Sequence, residues 1–164
     1  MSPRWAVAGL VEAPADQVFA RVCAIGPAGS GQLAGPPGPG TTTGPDGVVR
    51  YTAPIGQPPQ TTVTVEVDPT RRTLAIHGHW WYRGVHTVTP HSRGSLVGYR
   101  VHNVASWGRW LVPLMQWRLP TRMWRDLDQL LRMLSEQLGC AAYPLDRLHG
   151  SDAMINDSPW RQAT

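Results

Sequence analysis

The residues best equipped for chemistry crowd into "HGHWWYRGVH", where His77, His79 and His86, three of the chain's six histidines, fall within ten positions. On a strand, His77 and His79 point to one side. His86 on a neighbouring run could then bring a third imidazole, the ligand type zinc takes. No Asp, Glu or Cys stands nearby in sequence to complete a shell. The pattern therefore reads as partly exposed sheet histidines, and neither a metal nor another cofactor is expected.

Nucleophile chemistry has no visible support. The chain holds no G-x-S-x-G, no phosphate-binding G-x-x-x-x-G-K-[ST] and no G-x-G-x-x-G. Its only glutamates, Glu12, Glu66 and Glu136, fall near a strand end, on an outward strand face and late in the last helix. Any catalysis must rest on positioning a reactive substrate in a shaped cavity, with Tyr, His or Arg as the proton donor.

Strand parity says which of these groups face inward. Leu74, Ile76, Trp80 and Tyr82 share one parity; Val97, Tyr99, Val101 and Asn103 share another, with Arg100 and His102 opposite. Turning the Leu/Ile and Val/Val sets to the core sends Trp80, Tyr82, Tyr99 and Asn103 the same way, unless a bulge reverses part of a strand. Polar tips among apolar neighbours are how small-molecule sites are built. With His86, these four are the candidate ligand contacts on the strands.

A second cluster is "WGRWLVPLMQWRLPTRMW", Trp107 to Trp124. Trp110, Trp117 and Trp124 recur every seven residues, and Arg118, Arg125 and Arg132 keep that period one step later. Seven residues make about two helical turns, so each set forms a stripe. Such a stripe suits core packing, the lid of a ligand cavity or a membrane-surface helix.

The elements that must position these residues can be read from period and punctuation. Residues 4–11 alternate as a strand, and "EAPADQVFARV" reads as a short helix with Pro14 and Asp16 in its first turn. Gly and Pro crowd the segment from Gly26 to Gly47, which reads as a loop with short ordered pieces. "VVRYTA", "TTVTVEV", "TLAIHGHWWYRG", "VHTVTP" and "SLVGYRVHNVA" are strand-like runs, with turns at "DPTRR" and "HSRG". Strand following strand at this spacing predicts an antiparallel meander. The period then changes: from Met123 through Leu127, Leu130, Leu131, Leu134 and Leu138, a helix with one buried face ends at Gly139.

This order resembles the START-like, or SRPBCC, superfamily with its helix-grip fold, and is most similar to its polyketide cyclase/dehydrase-like branch. The likeness covers residues 3 to 139 and rests on four segments in the right order: "VEAPADQVFARV", "TRRTLAIHG", "YRGVHTVTPHSRGSLVGYRV" and "PTRMWRDLDQLLRMLSEQL". The connection after the first helix departs from the pattern. Relatives commonly have a short helix and an aromatic-proline pair there, whereas "GPAGSGQLAGPPGPG" has neither.

The resemblance implies an α+β fold, a curved antiparallel sheet wrapped around the long C-terminal helix with an apolar cavity between them. Residues 1–139 would be one ligand-binding domain with a Gly/Pro-rich loop at 26–47, and 140–164 an irregular tail. In that frame Trp110, Leu114 and Trp117 are cavity wall or lid, and Arg109, Arg118, Arg122 and Arg125 face water or an acidic ligand group. The implied function is binding of a hydrophobic polyketide, lipid or isoprenoid, with cyclase- or dehydratase-like chemistry as its enzymatic form. The alternative is a non-catalytic lipid carrier or chaperone that docks transiently on membranes through the Trp/Arg surface.

Composition agrees with a globular chain: 164 residues, 41% hydrophobic and only 16% charged, which suits an apolar cavity or interface. The net charge of +4 comes from fifteen arginines and no lysine. That pattern reads as a codon bias toward GC-rich triplets, so no nucleic-acid partner is expected. The first apolar run, "WAVAGLV", is too short for a secretory signal, and the uncharged stretch from Val22 to Pro45 is too rich in Gly and Pro for a membrane helix. A cytoplasmic protein with Cys23 and Cys140 as free thiols is expected. Oligomeric state has no signature.

Overall fold

The computed structural model describes residues 5–25, 40–55, 61–78, 80–107, 112 and 118–145. Along the chain run β1 (Trp5–Val11), α1 (Ala15–Ile25), β2 (Thr42–Thr43), β3 (Val49–Ile55), β4 (Thr61–Asp68), β5 (Thr73–His77), β6 (Tyr82–His91), β7 (Gly94–Asn103), α2 (Leu119–Leu138) and β8 (Ala142–Pro144). Runs of Val, Thr and aromatic residues favour strands because their branched or flat side chains pack well on a pleated surface. Punctuation residues then fold one run back on the next. At "DPTRR" the Asp68 carboxylate accepts the Arg71 N–H at 2.9 Å, and Arg72 takes a positive φ of 49° before β5 begins.

The strands form one antiparallel sheet in the order β2-β3-β4-β5-β6-β7-β1-β8. β2 to β7 are a meander; β1 closes onto β7 through seven pairs from Trp5↔Val101 to Val11↔Ser95. Directly paired residues share a face, so the registers define one concave surface. It carries Val63, Val65 and Val67 of β4, Leu74 and Ile76 of β5, and Tyr82, Gly84, His86 and Val88 of β6. Across β7 and β1 it continues with Val97, Tyr99, Val101, Asn103 and Val7.

α2 covers this surface. Pro120 stands in its first turn, where a missing N–H costs nothing, and Gly139 ends it at φ 61°. Its buried face is Leu119, Met123, Leu127, Leu130, Leu131 and Leu134. Each such side chain contributes about 1.5–3 kcal/mol by leaving water. The helix packs mainly on β1, β8 and α1. The approach is tight at Gly9, where a Cβ would stand 2.6 Å from Leu131 Cδ1. The fold is an α+β helix grip, a curved sheet around a C-terminal helix, as the START-like resemblance implies.

Two local expectations change. "TLAIHGHWWYRG" is not one run: β5 stops at His77, and a hairpin turn closed by the Gly78 N–H to the Tyr82 carbonyl, 2.9 Å, separates it from β6. Inside the Gly/Pro-rich loop, Thr42 and Thr43 form β2 against Arg50 and Val49, a short ordered piece of the kind expected there. The tail is not irregular throughout either. Ala142–Pro144 add β8 to the free edge of β1, because the left-handed Gly139 turns the chain back and the Glu12 N–H bonds the Ala141 carbonyl at 2.9 Å. Cys23 and Cys140 are free and half-buried, and burial lifts the Cys23 thiol to about 11, leaving it inert. Among the described residues no helix is long and apolar enough to cross a membrane.

Candidate functional site

The polar residues of the concave face gather where β6 and β7 pair. His86 lies opposite Tyr99, Gly84 opposite Val101 and Tyr82 opposite Asn103. Tyr82 and Tyr99 are on a diagonal, and what lets them meet is Gly84. A Cβ there would collide with the Tyr82 hydroxyl, so the phenol lies flat over the glycine. The Tyr82 hydroxyl reaches that of Tyr99 at 2.7 Å. On Tyr99's other flank the His86 ring stacks face to face, 4.3 Å between centroids at an interplanar angle of 4°.

The three side chains are thus one aromatic array with polar edges, set among Val7, Leu74, Ile76, Val88, Val97 and Val101. His86 is 2% exposed and Tyr99 3%. Neither His86 nitrogen has a hydrogen-bond partner among the described residues. That is unusual, because buried polar groups are nearly always satisfied and an orphan costs about 1–3 kcal/mol.

Burial sets the protonation states. Desolvation holds the His86 imidazole at about 4, against an ordinary 6.5, so it is neutral at pH 7 with one N–H donor and one nitrogen acceptor. Burial, the adjoining Tyr82 hydroxyl and the Asp126 carboxylate push the Tyr99 phenol far up. Burial also raises Tyr82; the Tyr99 hydrogen bond opposes this and Asp126 adds to it. Both phenols stay protonated. Two hydroxyls sharing one hydrogen bond leave one O–H proton to donate elsewhere, strengthened by its neighbour's polarisation.

Asp126 reaches this electrostatic neighbourhood from α2. It is half-buried, and burial raises its carboxyl pKa while Arg125 and Arg122 pull it down. Neither Asp126 nor Gly84 was singled out from the sequence. Asp126 had a signal: it stands three residues after Met123 and four before Leu130, on one flank of the buried stripe. Gly84 had none, since its role appears only when Tyr82 lies across it.

The other expected contacts are placed differently. Asn103 is buried on the concave face, where its side-chain oxygen accepts the Ala105 N–H at 3.1 Å and holds the exit of β7. Trp80 sits in the β5–β6 turn, its indole 5.0 Å from that of Trp107, apart from the His86 array. Trp110, Leu114 and Trp117 lie outside the described residues, as does His79. The imidazoles do not converge: His77 faces the convex side and meets Glu66 at 2.9 Å, whereas His86 is on the concave face. Among the described residues no His/Cys/Asp/Glu group is arranged to hold a metal ion.

No protein-family profile matches the sequence, and no curated protein matches it. Among solved structures the chain is similar to the Zhui aromatase/cyclase from Streptomyces sp. R1128, with TM-score 0.46 and 16% identity over 81% of this chain and 94% of that one. It is also similar to a protein of Thermus thermophilus, with TM-score 0.43 and 16% identity over 80% of this chain and 94% of that one. A Nitrosomonas europaea protein aligns with TM-score 0.40 and 13% identity, over 85% of this chain and 99% of that one. The chemistry of the site rests on this chain's own residues.

As it stands, the array can hydrogen-bond an uncharged oxygen group and donate to a carbonyl on which negative charge develops. It is a poor general base, because an imidazole held at about 4 attracts protons weakly at neutral pH.

Proposed function

We propose that this protein binds a hydrophobic small molecule of the polyketide, lipid or isoprenoid kind between the concave face of the sheet and α2. His86, Tyr99 and Tyr82 hold its oxygenated end. The carrying observation is the His86 ring, buried on an apolar face with both nitrogens unpartnered beside a hydroxyl pair that has a proton to spare. A ligand oxygen would remove that deficit. Cyclase- or dehydratase-like turnover fits the same array, with the hydroxyls stabilising enolate character while the substrate's own reactivity supplies the bond formation.

Native mass spectrometry of protein purified from its own host tests binding directly: a co-purified neutral or weakly polar small molecule is expected. Protein that is uniformly ligand-free and shows no quenching of its aromatic fluorescence by apolar probes would refute it. Tyr82→Phe and Tyr99→Phe then separate the roles. Retained binding with lost product formation marks an enzyme, and ligand binding with no product formed even by the wild type marks a carrier.

The carrier alternative has its own observation. Trp107 is 67% exposed and packs at a tilt against Trp80, an aromatic pair of the kind that seats at a membrane interface. Vesicle pelleting that disappears in Trp107→Ala would favour it.

A further inference from the structure

We infer that the His86–Tyr99–Tyr82 array selects a ligand whose buried end is an uncharged hydroxyl or carbonyl, and rejects a carboxylate or phosphate on the same apolar body. This deepens the binding function proposed above and rests on it.

The array has apolar surroundings on the sheet. His86 is paired with Leu74 on β5 and Tyr99 on β7, and its strand neighbours on the same face are Gly84 and Val88. Tyr99 is flanked by Val7 on β1. From β4 to β7 and on β1, the concave face carries no Arg, Asp or Glu among the described residues. α1, which packs against β6 and β7, buries Val18, Phe19, Val22 and Ile25 toward them. The ionised group felt by the tyrosines is Asp126, which is negative. Arg122 and Arg125, which act on Asp126, are exposed on α2, and Arg83 and Arg100 lie on the opposite face of the sheet.

An anionic head pushed against His86 would therefore lose its hydration and gain only neutral donors, with a carboxylate close by. Buried charges persist only when paired or heavily hydrogen-bonded. An uncharged hydroxyl or carbonyl meets the opposite situation. The neutral imidazole offers one donor and one acceptor, and the hydroxyl pair offers a further donor, so either group satisfies atoms that are otherwise orphaned. Long fatty acids with an inward carboxylate are thereby excluded as ligands, and phenols, ketones and alcohols are favoured.

Three probes of one shape test this: 2-naphthol, 2-naphthoate and naphthalene, titrated into the full chain at pH 7 by calorimetry. 2-Naphthol is expected to bind at least tenfold tighter than either of the others, and His86→Phe, which keeps the stacked ring and loses the nitrogens, should bring it level with naphthalene. Tyr82→Phe, which removes the shared hydroxyl bond without emptying the face, should reduce the preference and serves if His86→Phe does not fold. Equal or tighter binding of 2-naphthoate, with naphthalene also bound, would overturn the selectivity while leaving the binding function intact. A preference for 2-naphthol that survives both substitutions would overturn the assignment to this array. Failure of all three probes to bind would remove the binding function and the selectivity with it.

Discussion

Among the groups through which lowering the pH should destabilise this protein, His86 makes a contribution that can be worked out. Unfolded, its imidazole takes a proton near 6.5; folded, burial withholds that proton down to about 4. Between those values the unfolded chain binds the extra proton, so stability is complete above about pH 6.5 and declines as the pH falls toward 4. Integrating the two titrations gives a loss of about 2 kcal/mol by pH 5 and about 3 kcal/mol by pH 4. That is a large share of the 5–15 kcal/mol that typically separates folded from unfolded chains.

The assay is urea unfolding of wild type and His86→Phe from pH 7.5 to pH 4, followed by far-ultraviolet circular dichroism. Phenylalanine preserves the ring on Tyr99 and cannot titrate. Subtracting the variant's curve cancels groups common to both proteins, including Asp126 beside the array and His102 on the convex face, whose pKa is lowered by burial and by Arg83 and Arg100. The wild type should lose ground relative to the variant by about 2 kcal/mol at pH 5. A difference that stays flat over the whole range would refute the reasoning, because it would mean that the folded imidazole accepts a proton as readily as the unfolded one.

Other consequences follow from the same geometry. Gly84→Ala should displace the Tyr82 phenol and cost about 1–3 kcal/mol, with most of that cost absent in a Tyr82→Ala background; a double-mutant cycle by urea unfolding measures the coupling. Tyr82→Phe removes the 2.7 Å hydroxyl bond and should destabilise by about 1 kcal/mol. Leu131→Ala empties the contact with Gly9 where α2 approaches β1, and thermal or urea unfolding should register a loss of about 2–5 kcal/mol. Gly139→Ala forces an L side chain into φ 61°, for an expected cost of about 1–2 kcal/mol in the same assay.

The resemblance that guided the fold concerned elements and their order, and the contribution of each to the site was unequal. α2 was legible because its leucines repeat at helical spacing from Leu127 to Leu138, about three turns, a local property that survives any tertiary arrangement. The hairpin of β6 and β7 was equally plain, since "HSRG" separates two alternating runs. The turn at residues 78–81 was hidden: two adjacent tryptophans and a tyrosine look like strand, and only closure by Gly78 and Tyr82 shows where the chain reverses.

Alternation along each strand determined that Leu74, Ile76, Val97, Tyr99 and Val101 would share the buried side, and the 3.6-residue period determined which face of α2 would meet them. These are properties of neighbours in sequence, fixed by backbone geometry. The tertiary structure decided that Tyr82 bonds Tyr99, that His86 stacks there without a polar partner, that the Asp126 charge acts on both tyrosines, and that β1 lies between β7 and β8. These features join residues far apart in sequence: Tyr82 and Asp126 stand 44 positions apart, and the paired Trp5 and Val101 stand 96 apart. No local period carries that information, because parity gives a side chain its direction and only packing gives it a neighbour.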